Sequence, residues 1–298
     1  MKADPFIEAE EAAGTSVARC CDLFEVSKSA YYQRRKAIPS ARDLTDAELL
    51  TQIREIHEES DGTYGSPRVY KELAQNRGVH IGKRRVTRLM RQAGLEGRCK
   101  RRWRRTTIQD PDTFAADLDL IQRHFGPFEV LDARYVGDIT YIATWEGWAY
   151  LATVIDLASR KVVGWALADH MRTELVTDAL EMAFKTRRPG PGVIFHADRG
   201  SQYTSRDQRA LADRLGVKLS FGRKGDCFDN AVAESFFATL KRELIDRRPW
   251  PTLAGLRPAV FSYIEGWYNT RRLHSSLGYL SPVEYERRIH HQAVAQAA

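Results

Sequence analysis

The chain has 298 residues, 43% of them hydrophobic, with a formal net charge of +7. That length suits about two domains of ~100–200 residues, and no apolar run approaches the ~18 residues needed to cross a bilayer. The opening MKADPFIEAEEAAG is acidic rather than signal-like, and Cys20, Cys21, Cys99 and Cys227 form no C-x-x-C pair, so a reduced, cytoplasmic protein without membrane contact is expected.

Residues 1–14 lack periodicity and are expected to be disordered. From Thr15, Val17, Cys20, Cys21 and Phe24 recur at helical spacing. Ser27 can cap a second helix, SKSAYYQRRKA, giving either a helix-turn-helix or an ordinary helical hairpin. A longer helix is expected from Leu44 to Ser60. Ser66 as N-cap and Pro67 at the first helical position then open another. GKRRVTRLMRQAGL predicts one more helix, stopped near Gly94, with Lys83, Arg84, Arg85 and Arg88 on its cationic face. Residues 15–97 thus predict an all-α helix-turn-helix region.

Residues 98–127 predict a basic linker. It begins with Arg98, Lys100, Arg101, Arg102, Trp103, Arg104 and Arg105, a run that repels itself in isolation. It is either a solvated connector or a strap gripping DNA phosphates, with Trp103 free to stack.

From Phe128 the pattern turns to strands, near 135–144, 147–156 and 160–168, joined by short hairpin connections. A helix near 173–186, the strand VIFHAD, a helix at 204–215, the strand VKLSF and a helix at 229–246 follow. Three strands and then alternating helices and strands predict an α/β fold. The expected architecture is a ribonuclease H-like mixed sheet with flanking helices over 128–286, ending in a tail at 287–298.

Within this region Asp138 interrupts a face of β-branched residues, where a lone charge is unfavourable. Asp198 ends a strand, where ligands gather in α/β folds. Glu234 lies on the last long helix. At about 100° per residue, Asn230 and Lys241 fall about 40° and 20° from Glu234, on a polar edge beside the stripe of Phe236, Phe237, Leu240 and Leu244. Three converging carboxylates suit two hard divalent cations clamping the attacking and leaving oxygens of a phosphodiester. Asp132, Asp156 and Asp229 compete locally; Asp156 reads as a turn residue and Asp229 as a helix cap.

GDITYIATWEGWAYLATVIDLASRKVVGWAL, FHADRGSQYTS, GDCFDNAVAESFFATLKREL and YIEGWYNTRRLHSSLGYLSPVEYE, together with VSKSAYYQRR and GTYGSPRVYKEL upstream, carry a resemblance. The segment resembles the retroviral-integrase-like DDE catalytic core. More narrowly, the chain resembles the OrfB product of insertion-sequence-three-type bacterial transposases. Residues 199–233 separate Asp198 from Glu234, the 35-residue spacing that family shows.

The resemblance implies DNA strand cleavage at element ends and strand transfer, with two Mg²⁺ or Mn²⁺ ions held by Asp138, Asp198 and Glu234. It implies Lys241 on the DNA near the reacting end, and His196, Gln202 and Asn230 in support. It further implies double-stranded DNA as partner, a homo-oligomer on DNA, an upstream OrfA partner or fusion, and a nucleoid-associated location. Tyr135 stands where many relatives carry Trp, and Ala197 where Ser is common. A cleavage-silent DNA-binding regulator and another ribonuclease H-like nuclease are the alternatives. The intact triad argues against the first, the basic N-terminal region and the long tail against the second.

Overall fold

A computed structural model describes residues 3–36, 40–98, 120–121, 130–222 and 231–297. The first residues are helical rather than disordered: α1 spans Asp4–Ala12. Its Ile7 is fully buried against Val17, Cys20, Cys21 and Tyr31. One buried residue in nine leaves no period to read, yet it suffices to seat the helix on α2 (Val17–Leu23) and α3 (Lys28–Arg35). Arg35 adds a 2.6 Å ion pair to Glu11.

A second helical unit follows. Ser40 and Asp43 cap α4 (Ala41–Glu59) reciprocally, which starts it three residues before the expected Leu44. α5 runs Ser66–Gln75, with Gly65 rather than Ser66 at the N-cap. α6 runs Lys83–Gln92, and Gly94 turns the chain away at φ +67°. Leu49, Ile53, Ile56, Val69, Leu73, Val86, Leu89 and Met90 form its core.

The sheet is close to expectation: β1 Arg134–Thr144, β2 Gly147–Asp156, β3 Val162–Ala168, β4 Ile194–Ala197 and β5 Lys218–Phe221. Its order is β3-β2-β1-β4-β5. The first three strands are antiparallel, and β4 and β5 run parallel to β1. On one face lie α7 (Thr173–Arg187) and α8 (Arg206–Leu215). On the other lie α9 (Ala231–Glu243) and α10 (Leu253–Phe261), continued by a π-helical stretch at Ser262–Tyr268. This is a ribonuclease H-like core. α11 runs Pro282–Ala297, so residues 287–297 extend a helix.

The segment between the π-helical stretch and α11 joins the two units. Asn269 pairs with both main-chain groups of Val162 at 2.9 Å, covering the edge of β3. Arg272 forks onto Glu243 of α9 at 2.7 and 2.9 Å. Leu273, 1% exposed, inserts into the core of the second helical unit. Its N–H donates to the Tyr64 hydroxyl at 2.8 Å, Arg68 Nε donates to its carbonyl at 3.0 Å, and Asp61 pairs with Arg247 nearby.

Candidate active site

Strand alternation turns Val136, Asp138, Thr140 and Ile142 to one face of β1, and Val136 and Ile142 pack under α9. Gly137 has to be small, because a Cβ there would lie 2.3 Å from the Phe195 ring on the opposite face. Asp138 follows it, with Oδ1 accepting the Ile139 N–H at 2.8 Å. Burial pushes the Asp138 carboxyl up to about 7. The Ile139 N–H works against that shift, and the charges of Asp198 and Glu234 add to it. Asp138 therefore senses both other acids, one at a strand end and one on a helix.

Asp198 follows β4 directly and is exposed. Its Oδ1 accepts the Gly200 N–H at 3.0 Å, and a Cβ on Gly200 would stand 3.0 Å from the same oxygen. Glycine thus lets the main chain close round the carboxylate. Gln202 donates to the Met171 carbonyl at 3.0 Å, and His196 is buried with Nδ1 2.8 Å from Ser220 Oγ, tying β4 to β5. Glu234 lies exposed in the first turn of α9, its carboxyl raised by partial loss of solvent. Phe236, Phe237 and Leu240 are buried as the helical angles require. Lys241 rests its Nζ 5.0 Å from the centre of the Tyr141 ring, three residues beyond Asp138 on β1. Asn230 and Asp229 lie outside the described residues.

The competing acids have structural partners. Asp132 is bound by Arg187 and the Tyr135 hydroxyl, each at 2.7 Å. Asp156 accepts the Ser159 N–H and hydroxyl at 2.8 and 2.7 Å, holding the β2–β3 turn.

On α6, Lys83 and Arg84 line an open groove with Thr87, Arg88, Arg91 and Gln92. Arg85 and Arg88 are both engaged by Asp46 of α4, at 2.7 and 2.5 Å, which fixes two of the four cations singled out from sequence. Arg98 is exposed beside Thr63, to whose carbonyl its N–H donates at 3.1 Å. Lys100, Arg101, Arg102, Trp103, Arg104 and Arg105 lie outside the described residues.

Two neighbours of the acids escaped sequence reading. Tyr203 is 3% exposed, and its hydroxyl has no hydrogen-bond partner among the described residues. Burial, then the charges of Asp138 and Asp198, raise that phenol well above its ordinary range. Thr153 stands opposite Asp138 in the β1–β2 register, buried, its Oγ1 likewise unpartnered among the described residues. Neither interrupts an apolar pattern in a way that marks it.

Integrase core domain models match residues 132–227 and 215–282, and an HTH-like domain model matches residues 44–103. Fold and matched core define a polynucleotidyl transferase with a DNA-binding helical region. A putative transposase of the insertion element IS986/IS6110 from Mycobacterium tuberculosis is 39% identical over 280 residues, covering 92% of this chain and 99% of its own. Transposase InsF of insertion sequence IS3A from Escherichia coli is 36% identical over 289 residues, covering 95% and 98%. A chain of the simian T-cell lymphotropic virus intasome aligns with a TM-score of 0.42 at 15% identity over 49% of this chain and 51% of that one. The chain belongs to the IS3 family of insertion-sequence transposases, whose general activity is metal-dependent DNA cleavage and strand transfer. Among the described residues no helix is long and apolar enough to cross a membrane.

Proposed function

We propose that Asp138, Asp198 and Glu234 are the DDE triad of this transposase and together hold two Mg²⁺ or Mn²⁺ ions. The observation that carries this reading is the Asp138 carboxyl, half-buried on the sheet and pushed up to about 7 by desolvation and by the two other acids. A carboxyl raised by two like-charged neighbours, and offset by the Ile139 N–H, suits a hard cation that would relieve the repulsion. Among the described residues no three ligating side chains are yet gathered into a finished cage. Glu234 lies exposed in the first turn of α9.

When bound, the ions supply Lewis-acid stabilisation of the attacking and leaving oxygens. Asp138, its carboxyl pushed up to about 7, would give up any proton it holds to a bound cation, and Asp198 is aimed by the Gly200 N–H. Lys241, steadied on Tyr141, grips a phosphate beside the reacting one. In cleavage a water oxygen bonds to phosphorus and the 3′-oxygen departs as a hydroxyl. In joining, that hydroxyl bonds to a second phosphorus and displaces another 3′-oxygen. A homo-oligomer on DNA and an upstream OrfA partner for end recognition belong to the same reading, since no sustained heptad repeat is present in the sequence.

Glu234→Gln tests the triad. The variant is expected to bind a duplex element end within about twofold of wild type while losing detectable cleavage and joining with Mg²⁺ or Mn²⁺. Retained cleavage removes Glu234 from the site.

A further inference from the structure

Between the second helical unit and the catalytic core lies a cleft of about 310 Å³ that the triad does not use. Arg68, Arg98, Arg242 and Arg272 line it, with Ser275 and Ser276 at its rim. Among the described residues Glu243 is the one carboxylate in the wall, and Arg272 already occupies it with paired hydrogen bonds. The other three guanidiniums have neutral partners or open positions. Arg68 Nε donates to the Leu273 carbonyl, and Arg242 donates to the Ala238 carbonyl at 3.1 Å. Arg98 is exposed at the mouth, carried there because Gly97 packs main chain to main chain on Gly65; a Cβ on Gly97 would lie 2.2 Å from Gly65 N. His274, 8% exposed in the same wall, leaves Nε2 without a hydrogen-bond partner among the described residues. Burial, then the Arg272 and Arg68 charges, hold that imidazole below its ordinary range, so its open Nε2 is an acceptor for a water or hydroxyl, and it is the surplus guanidiniums that mark a place for an anion.

From this arrangement we infer that the cleft is a DNA-backbone clamp, seating one phosphodiester of the element end between the helix-turn-helix unit and the catalytic core. Its chemistry selects phosphate. Guanidiniums match phosphate oxygens in paired geometry, and Thr239 and Ser235 of α9 add hydroxyls. Among the described residues its lining holds no Phe, Tyr or Trp ring, so the wall offers phosphate partners in preference to a stacking platform.

Its position selects a strand close to the chemistry. On α9, Ser235, Thr239 and Arg242 fall about 80–140° round the helix from Glu234, on the face next to the catalytic edge. Arg242 is about 12 Å along the axis from Glu234, and phosphates advance about 3.4 Å per step of a strand. The clamped phosphate therefore lies about three to four nucleotides from the scissile one. That last statement rests on the proposed triad; the clamp itself does not.

The test couples a protein change to a DNA change. Arg98→Gln/Arg242→Gln removes two cations without breaking an ion pair seen in the structure, and Arg98→Lys/Arg242→Lys keeps the charge. A duplex element end is made with a single neutral methylphosphonate at each position in turn, and binding is measured without metal. One position is expected to cost wild type about ten- to a hundredfold in affinity and the Gln variant almost nothing further. The Lys variant should show an intermediate loss. The Gln variant should also flatten the dependence of log K on log salt by about 0.9 per phosphate contact, with its thermal midpoint unchanged. Losses that simply multiply at every position overturn the clamp. So does saturable binding of inorganic phosphate by wild type with no coupling at any methylphosphonate, which would assign the cleft to a free ion. Because binding is read without metal, failure of the triad reading shows separately, as cleavage by Glu234→Gln, and leaves the coupling result standing.

Discussion

Asp138 occupies a position where β1 would otherwise carry an apolar side chain, and its cost should be measurable. Burial, followed by the neighbouring carboxylates, raises its carboxyl to about 7. A folded-state pKa above the unfolded value means that the folded form binds its proton more tightly, so stability falls as pH rises from about 4 through about 7. Asp138→Asn removes the charge and keeps an oxygen for the Ile139 N–H. Without divalent cation, the variant should be more stable than wild type at pH 8, by on the order of 2–4 kcal/mol. The difference should shrink toward pH 5, while cleavage is lost throughout. Thermal melts at both pH values decide it. A variant less stable than wild type at pH 8 would mean that Asp138 is offset by a partner rather than left strained for an ion.

At the scale of elements, α9 presents three distinct faces. Phe236, Phe237 and Leu240 bury one side, Glu234 and Lys241 mark a polar edge, and Ser235, Thr239 and Arg242 line the phosphate cleft. The first two faces were legible because a 3.6-residue period separates an apolar stripe from its polar border. The third was not, because its partners Arg68 and Arg98 lie far away in sequence and meet it only in the folded chain. The hairpins of β1, β2 and β3 were legible for the same kind of reason: alternation and the Glu146–Gly147 turn fix register locally. α1 was illegible because a single buried Ile7 sets no period, and Tyr203 because an aromatic residue after a strand reads as ordinary packing. The link between β1 and α9 is open to test. Tyr141→Ala frees Lys241 from its ring, a contact worth about 0.5–1 kcal/mol at an exposed site. Cleavage with a duplex end should fall about two- to fivefold, whereas Tyr141→Phe keeps the ring and should stay near wild type. Equal losses in both would assign the effect to the hydroxyl instead.

At the scale of the molecule, the segment 269–281 decides whether recognition and chemistry act as one body. The sequence presents YNTRRLHSSLGYLSP only as a tail, yet successive residues reach three different places. Asn269 reaches the edge of β3, Arg272 reaches Glu243 on α9, and Leu273 enters the helical core. Burial alone would raise the Glu243 carboxyl, but hydrogen bonds and charge from Arg272, then the charge of Arg68, hold it below its ordinary range. Leu273 is the clearest place to cut the connection. Its side chain belongs to the tail by sequence and to the α4–α6 core by packing, where Trp267 and Tyr279 are only partly buried beside it. Leu273→Ala should cost about 2–5 kcal/mol, as buried leucine truncations do. The loss falls on the joint, so the helical unit should melt first, splitting one unfolding transition into two and exposing residues 40–98 to protease. Leu180→Ala, equally buried but inside the α7 face of the catalytic core, should lower the midpoint without that split. If the clamp lies at this joint, Leu273→Ala should also erase the methylphosphonate coupling while the isolated α6 groove still holds DNA weakly. A single transition that shifts as a whole in both variants would show that the two units are joined by more than this tail.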